Sequence, residues 1–281
     1  MKELCFDIST WQKGINYNEI RSKVNYCILR AGFSTTKDNQ LDNHYNNLQG
    51  LNLGAYWYTY AKSADEARSE ARKFLEVIGD MKFTLPLYLD IEDKTLSGLS
   101  RNTLNDIVNA FGEIIENGGY YFGVYTNLNW YTNKLSGNEL NKKYDWWIAC
   151  WDDNPPSPSY GINYGVWQFT SGYNVGGSRV DANYVYKDYP TIIKNAGLNH
   201  LDPEPTPTPE PTPTPDKLKV GDTVKIIGTG NGSSMGNSNT AYGIGYIRQI
   251  LSIYEDRPYP YQVGNNSGTT GFYKAEALEK M

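Results

Sequence analysis

A chain of 281 residues, 39% of them hydrophobic, is long enough for one large barrel or two ordinary domains around a true core. The net charge of −5 argues against a nucleic-acid partner, and no apolar run is long enough to predict membrane insertion. The excess lies in aromatics: 24 Tyr and 7 Trp supply flat apolar faces with polar handles, suited to stacking on sugar rings or to a Tyr-rich core.

In chain order, residues 3–9 predict a first strand with Cys5, Asp7 and Ser9 on one face. The N-terminus lacks a signal peptide's apolar segment, so synthesis in the cytoplasm is expected, with another export route if the protein acts outside. Residues 17–23 predict a short helix, 25–32 a second strand with Arg30 near its end, 41–50 a helix and 53–60 a third strand. Ser63 and Glu66 have the spacing of a capping box at the start of a helix over 63–78.

The fourth strand, residues 85–93, organises the rest. Alternation puts Tyr88, Asp90 and Glu92 on one face and Leu89 and Ile91 on the other, with the two carboxylates about 7 Å apart at Cα. Like charges this close push one acid towards its protonated form, and acid catalysis needs that pairing of a neutral acid with a charged partner. The plain alternative is a solvated surface pair.

A helix over 100–117 follows, with Leu104, Ile107, Val108, Phe111, Ile114 and Ile115 at helical spacing and Gly118-Gly119 closing it. Strands are then expected at 121–126, 145–151, 165–170 and 179–184, so helices alternate with strands early and loops do so later. Eight strands in this span predict an α/β fold, an irregular (β/α)₈ TIM-like barrel with several helices missing. Such barrels hold their sites at the C-terminal ends of the strands, where Asp7, Arg30, Tyr58, Asp90, Glu92, Tyr125, Trp151, Gln168 and Asp181 fall.

Cys5, Cys27 and Cys150 lie in apolar runs and read as buried, reduced thiols. Two histidines, His44 in a polar helical pattern and His200 at the edge of a linker, are too few for a zinc site or a Cys-His pair, so neither a metal nor another cofactor is expected.

The division expected is a barrel over 1–200, a linker over 201–216 and a small all-β domain over 217–281. The Pro-Thr repeat from Pro203 to Pro215 predicts an extended spacer of about 40 Å at about 3.1 Å per residue. The tail reads as strands at 219–228, 245–254, 260–263 and 271–273 between Gly-Asn-Ser turns. Its seven basic residues against five acids give +2 and leave −7 for residues 1–216. Tyr242, Tyr246, Tyr254, Tyr259, Tyr261 and Tyr273 suit glycan or peptide binding, or the tail's own core; a self-association module is the competing role.

Several stretches together resemble glycoside hydrolase family 25, the muramidases of phage endolysins and bacterial autolysins. They are Asp7-Ile8-Ser9 with Trp11-Gln12, Arg30-Ala31-Gly32, Gly54-Ala55-Tyr56-Trp57-Tyr58, Leu89-Asp90-Ile91-Glu92, Val124-Tyr125-Thr126-Asn127, Trp147-Ile148-Ala149, Val166-Trp167-Gln168 and Val180-Asp181. The likeness covers about residues 1–196 and departs at Trp57, where many relatives carry His and altered contacts are expected. It implies cleavage of the β-1,4 bond between N-acetylmuramic acid and N-acetylglucosamine in bacterial peptidoglycan.

On this resemblance Glu92 is the general acid, Asp90 orients the substrate's 2-acetamido group, and Asp7 and Asp181 complete an acidic ring around an oxocarbenium-like transition state. Tyr56, Tyr58, Tyr125, Trp151 and Gln168 belong to the saccharide groove, and Arg30 either joins them or pairs buried carboxylates. Attack by the substrate's own acetamido oxygen, with net retention, is the mechanism favoured over inversion. The end of the tail, Gly271-Phe272-Tyr273-Lys274-Ala275-Glu276-Ala277-Leu278, resembles the end of bacterial SH3-like wall-binding domains. The implied setting is an endolysin made in an infected bacterium and acting on the wall after release, with a secreted autolysin as the alternative. A chitinase-type barrel would want a longer acidic signature on the fourth strand. A non-catalytic glycan binder has no need of four carboxylates.

Overall fold

The computed structural model describes residues 2–135, 137–201, 218–235 and 243–281. The chain divides into two compact units, Met1–Glu204 and Pro205–Met281. The Pro-Thr spacer and Tyr242 lie outside the described residues.

In the first unit β1 (Glu3–Ile8), β2 (Tyr26–Phe33), its two-residue hairpin partner β3 (Thr36–Lys37), β4 (Asn52–Tyr58), β5 (Leu87–Asp90), β6 (Phe122–Asn127), β7 (Asp145–Ala149), β8 (Tyr164–Val175) and β9 (Ser178–Val185) form one sheet. β1 pairs with β2 on one side and β9 on the other, so all of these strands except β3 close into an eight-stranded barrel. The helices are α1 (Tyr17–Arg21), α2 (Leu41–Asn47), α3 (Ala64–Ile78), α4 (Arg101–Asn117), α5 (Leu128–Asn133), α6 (Gly137–Lys143) and α7 (Tyr189–Asn195).

Two expectations are corrected. The segment between β6 and β7, read as loop, holds α5 and α6; both are too short for a periodic apolar signal to stand out. The eighth barrel strand, β9, is antiparallel to both neighbours. It follows β8 through a tight turn at Gly176-Gly177, both at positive φ, so no crossover helix is required. Asp181 therefore comes from the first half of its strand, where it pairs in register with Asp7.

Outside the barrel, α3 buries Ala67, Ala71, Phe74 and Ile78, and α4 buries Leu104, Ile107, Val108, Phe111 and Ile115, each at helical spacing. Ser63 and Ser100 cap their N-termini through Glu66 N and Thr103 N. The expected capping box is half formed, because the Glu66 carboxylate accepts from Lys62 N instead of from the cap residue. Trp57, fully buried, stacks on Phe74 with ring centroids 5.5 Å apart, so the residue at which the family pattern is broken faces the helices and not the site.

A Cβ at Gly32 would collide with the Trp57 ring and the Thr36 carbonyl. Because the carbonyl belongs to the β2–β3 hairpin and cannot swing aside, Gly32→Ala is expected to cost about 1–3 kcal/mol. A chemical denaturation midpoint equal to wild type would contradict it.

Inside the barrel, Tyr56, Tyr88 and Tyr125 surround Trp147, with ring centroids 5.8, 5.2 and 4.4 Å from its own. This aromatic plug fills the interior beneath the site. Cys5 and Cys27 are buried and free, and burial pushes both thiols up; Cys150, expected to be buried, is only half so. His44, expected on a polar helix, is buried as well, its ring nitrogens 2.9 Å from Tyr17 OH and from the Ser9 carbonyl. Asn199 ties the end of the unit to the barrel, donating to the Phe83 and Leu85 carbonyls and accepting from Tyr121 N.

The second unit is an antiparallel sheet of β10 (Thr223–Ile226), β11 (Ile247–Ile253), β12 (Tyr261–Asn265), β13 (Gly268–Tyr273) and β14 (Leu278–Lys280), in the order β13-β12-β11-β10-β14. β14 was not expected; three residues offer too little alternation to read. Val224, Ile226, Ile250, Val263 and Tyr273 form its core. Tyr259 and Tyr273 are thus buried, while Tyr246 and Tyr254 are exposed.

Candidate active site

At the C-terminal ends of the parallel strands lies a cavity of about 320 Å³. Asp7, Arg30, Tyr56, Tyr58, Asp90, Glu92, Tyr125, Gln168 and Asp181 all line it, as do Trp11, Gln12 and Trp147. Trp151 lines an adjoining cavity of about 380 Å³ with Asn127, Leu128 and Asn129. Glu92 and Tyr125 belong to both, so one carboxyl group stands at the junction of two chambers.

The alternation of β5 delivers this arrangement. Leu87 and Leu89 turn to the helices while Tyr88 turns into the barrel, and Asp90 and Glu92 continue that inward face beyond the strand's end. Glu92 Oε2 accepts a hydrogen bond from Asn127 Nδ2 at 3.1 Å. Asp90 is almost fully buried, and its Oδ1 has no hydrogen-bond partner among the described residues. Asp7 Oδ2 accepts from Asn183 Nδ2 at 2.8 Å and Gln168 Nε2 at 3.1 Å. Asn183 is held in turn by Trp147 Nε1 at 2.7 Å, so the aromatic plug orients the amide that orients the acid.

All four carboxyls are pushed up, and burial is the largest cause for each. The Asp181 charge adds to the rise at Asp7, and the Glu92 charge adds to it at Asp90. Asp181 rises to about 6, with the hydrogen bond to Asp7 acting against the rise. Glu92 is raised by burial against the lowering hydrogen bond from Asn127. Both acids expected to differ, Asp90 and Glu92, are raised, and so are Asp7 and Asp181 across the cavity from them.

Gln168 is the hub of the opposite wall. Its Oε1 accepts from Tyr125 OH at 3.1 Å and Trp151 Nε1 at 3.0 Å, which turns its NH₂ onto Asp7. Trp151 is 64% exposed but tethered through its indole N–H, a fixed flat platform beside the second chamber. Trp11, 81% exposed, stands at the rim of the first chamber on a turn pinned by the Ser9–Gln12 capping box.

Arg30 lines the cavity but pairs with Asp38, Nε to Oδ2 at 2.7 Å, and not with any of the four site acids. Asp38 is buried and also accepts from Thr10 N and Gln40 N, tying the loop after β1 to the end of β2. Tyr58 OH donates to Asp93 at 2.8 Å. Asn183, Asn127, Asp38, Asp93 and Trp11 were not singled out from sequence. Asn183 shares the strand parity of Asp181, and Asn127 and Trp11 stand within the quoted motifs, which is the signal that reaches them. Among the described residues no group of His, Cys, Asp and Glu is arranged to hold a metal ion.

Residues 6–178 match the family model described as Glycosyl hydrolases family 25. Among solved structures, the modular autolysin LytC of Streptococcus pneumoniae is similar at 25% identity and a TM-score of 0.59, over 66% of this chain and 47% of that one. This chain therefore spans about half the length of that autolysin. The catalytic domain of a Listeria monocytogenes bacteriophage endolysin is similar at 25% identity and a TM-score of 0.56, over 69% of this chain and 97% of that one. A lysozyme from Streptomyces coelicolor shares the fold at 24% identity and a TM-score of 0.59, over 71% and 97%. No curated protein sequence matches the chain.

Proposed function

The chain belongs to glycosyl hydrolase family 25, and from that premise we propose that it is a muramidase, cleaving the β-1,4 bond between N-acetylmuramic acid and N-acetylglucosamine in peptidoglycan. The observation that carries this reading is Glu92 at the junction of two chambers, one walled by Asp7, Asp90 and Asp181 and the other by Trp151. A glycosidic oxygen at that junction has a sugar on either side and a protonated carboxyl beside it. The LytC autolysin has been solved with a synthetic peptidoglycan ligand, which supports the same substrate class here. Mass spectrometry of digested peptidoglycan tests the bond: reducing ends at muramic acid are expected, and reducing ends at glucosamine would exclude a muramidase.

Glu92 donates its proton to the leaving oxygen. Asp90 Oδ1, buried without a partner among the described residues, is an acceptor waiting for an N–H, and the 2-acetamido group of muramic acid supplies one beside the anomeric carbon. With its N–H so held, the acetamido oxygen is positioned to attack that carbon, while Asp7 and Asp181 stabilise the positive charge that develops. Walls whose muramic acids are de-N-acetylated are then expected to bind but resist cleavage, with a retained product in early NMR spectra. Equal cleavage of both walls, or an inverted product, would reject substrate assistance.

The second unit, in this proposal, is an SH3-like wall-binding domain that holds the enzyme on its insoluble substrate after release from the cell. Its exposed Tyr246 and Tyr254 support that role. Separated from the first unit, it is expected to sediment with bacterial walls, while the first unit alone cleaves soluble fragments and attacks whole cells less well. A second unit that dimerises and fails to sediment would favour self-association instead.

A further inference from the structure

We propose that Asn127 is a positioning residue that fixes which oxygen of Glu92 carries the transferable proton. The inference rests on the reading of Glu92 as the general acid. Asn127 is the N-cap of α5, and its Oδ1 accepts from Trp130 N at 3.0 Å. An amide whose oxygen is committed to a helix cap has no freedom to flip, so its NH₂ must face the other way. There it meets Glu92 Oε2 at 3.1 Å.

A donor that cannot be exchanged for an acceptor requires Oε2 to be the acceptor oxygen. The proton of the neutral acid is thereby confined to Oε1, which has no protein partner among the described residues and is left for the substrate. The backbone beneath is clamped by the same strand: Ile91 N donates to the Tyr125 carbonyl at 3.0 Å, and Thr126 Oγ1 donates to the Ile91 carbonyl at 2.7 Å. Three consecutive residues of β6 thus hold Ile91 and Glu92 by backbone and side chain together. On the far side, Asp93 is tied to Tyr58 and Thr95. The acid has little room to turn.

The test is Asn127→Ser and Asn127→Asp in the full chain. Both keep a side-chain oxygen to cap α5, so the melting temperature stays near wild type. Serine is too short to reach Glu92, and aspartate replaces the donor by a second carboxylate. The titratable groups around Glu92 are Asp90, Asp93, Tyr58 on β4, Asp7 on β1, Asp181 on β9 and Tyr125 on β6; neither substitution replaces any of them, and Asn127→Asp adds one carboxylate to the set.

The hydrogen bond from Asn127 lowers the pKa of Glu92, so its loss raises that pKa, and a general acid then keeps its proton to higher pH. In Asn127→Ser the alkaline limb of kcat/KM is expected to move up by about one pH unit and kcat to fall about tenfold, the scale of one hydrogen bond to a charged group. The limb moves further in Asn127→Asp, and a ¹³C NMR titration of the Glu92 carboxyl follows the same order without reference to turnover. An unaltered limb and Glu92 titration in both variants would overturn the proposal, leaving Asn127 as a helix cap alone. Glu92→Gln measured alongside separates the two readings. An active Glu92→Gln protein removes the general acid itself, whereas an inactive one beside an unaltered Asn127→Ser removes only the role of Asn127.

Discussion

Glu92→Gln is expected to abolish nearly all turnover, by the factor of about 10²–10⁴ that general acid catalysis supplies, while the protein stays folded. Glutamine matches glutamate in shape and still offers an oxygen to Asn127 Nδ2, so the hydrogen bond at 3.1 Å has a replacement acceptor. What it lacks is a proton that can be given away. Burial raises the Glu92 carboxyl, which keeps that proton available above the ordinary carboxylate range and places the activity loss on the alkaline side. Because an acid raised in the fold is strained when ionised, the variant's melting temperature near neutral pH should equal or exceed that of wild type. Circular dichroism melts and turnover of soluble peptidoglycan fragments check both halves. Near-normal turnover by a folded Glu92→Gln protein would take the acid's role away from Glu92.

Asp181→Asn should lose activity and gain stability at once. In the proposed mechanism Asp181 and Asp7 stabilise charge that appears only in the transition state, and losing one such group costs about 10²–10³ in kcat. The sign on stability is the reverse. Asp181 sits at about 6 in the fold against about 3.9 in an unfolded chain, so between these values the folded state holds more protons. Stability from this group is full below the lower value and is lost as pH rises through the upper one. Asparagine removes that slope and also relieves Asp7 of the neighbouring charge that helps raise it. Melting temperatures at pH 4 and pH 7 should therefore differ less in Asp181→Asn than in wild type, with the variant the more stable at pH 7. A variant with unchanged activity and an unchanged pH dependence of melting would contradict both roles. A site that is costly to keep ionised when empty is what a cavity built for a cationic transition state entails.

The strands that carry the site were legible because their signals are local. Alternation along β5 is a property of a few consecutive residues, and it alone puts Asp90 and Glu92 on one face. The Ser caps and apolar stripes of α3 and α4 are likewise written within single helices. The motifs quoted from the sequence hold Asp7, Arg30, Tyr56, Tyr58, Asp90, Glu92, Tyr125, Gln168 and Asp181, which the fold brings to one cavity, whereas Leu128 and Asn129 of the second chamber lie outside every one of them.

What tertiary structure decided is whatever depends on which strand closes next to which. The sense of β9 follows from the tight turn at Gly176-Gly177 and from barrel closure, and only then does Asp181 meet Asp7. Arg30 could have paired with any nearby acid, and the β2–β3 hairpin that brings Asp38 to 2.7 Å made the choice. Trp57 departs from the family pattern inside a motif of the site, yet strand parity and the position of Phe74 turn it outward. The upward push on all four acids required their burial and mutual distance, neither of which a residue carries alone. Periodicity is a property of neighbours along the chain; pairing, burial and charge coupling belong to neighbours in space, and those exist only once the barrel has closed.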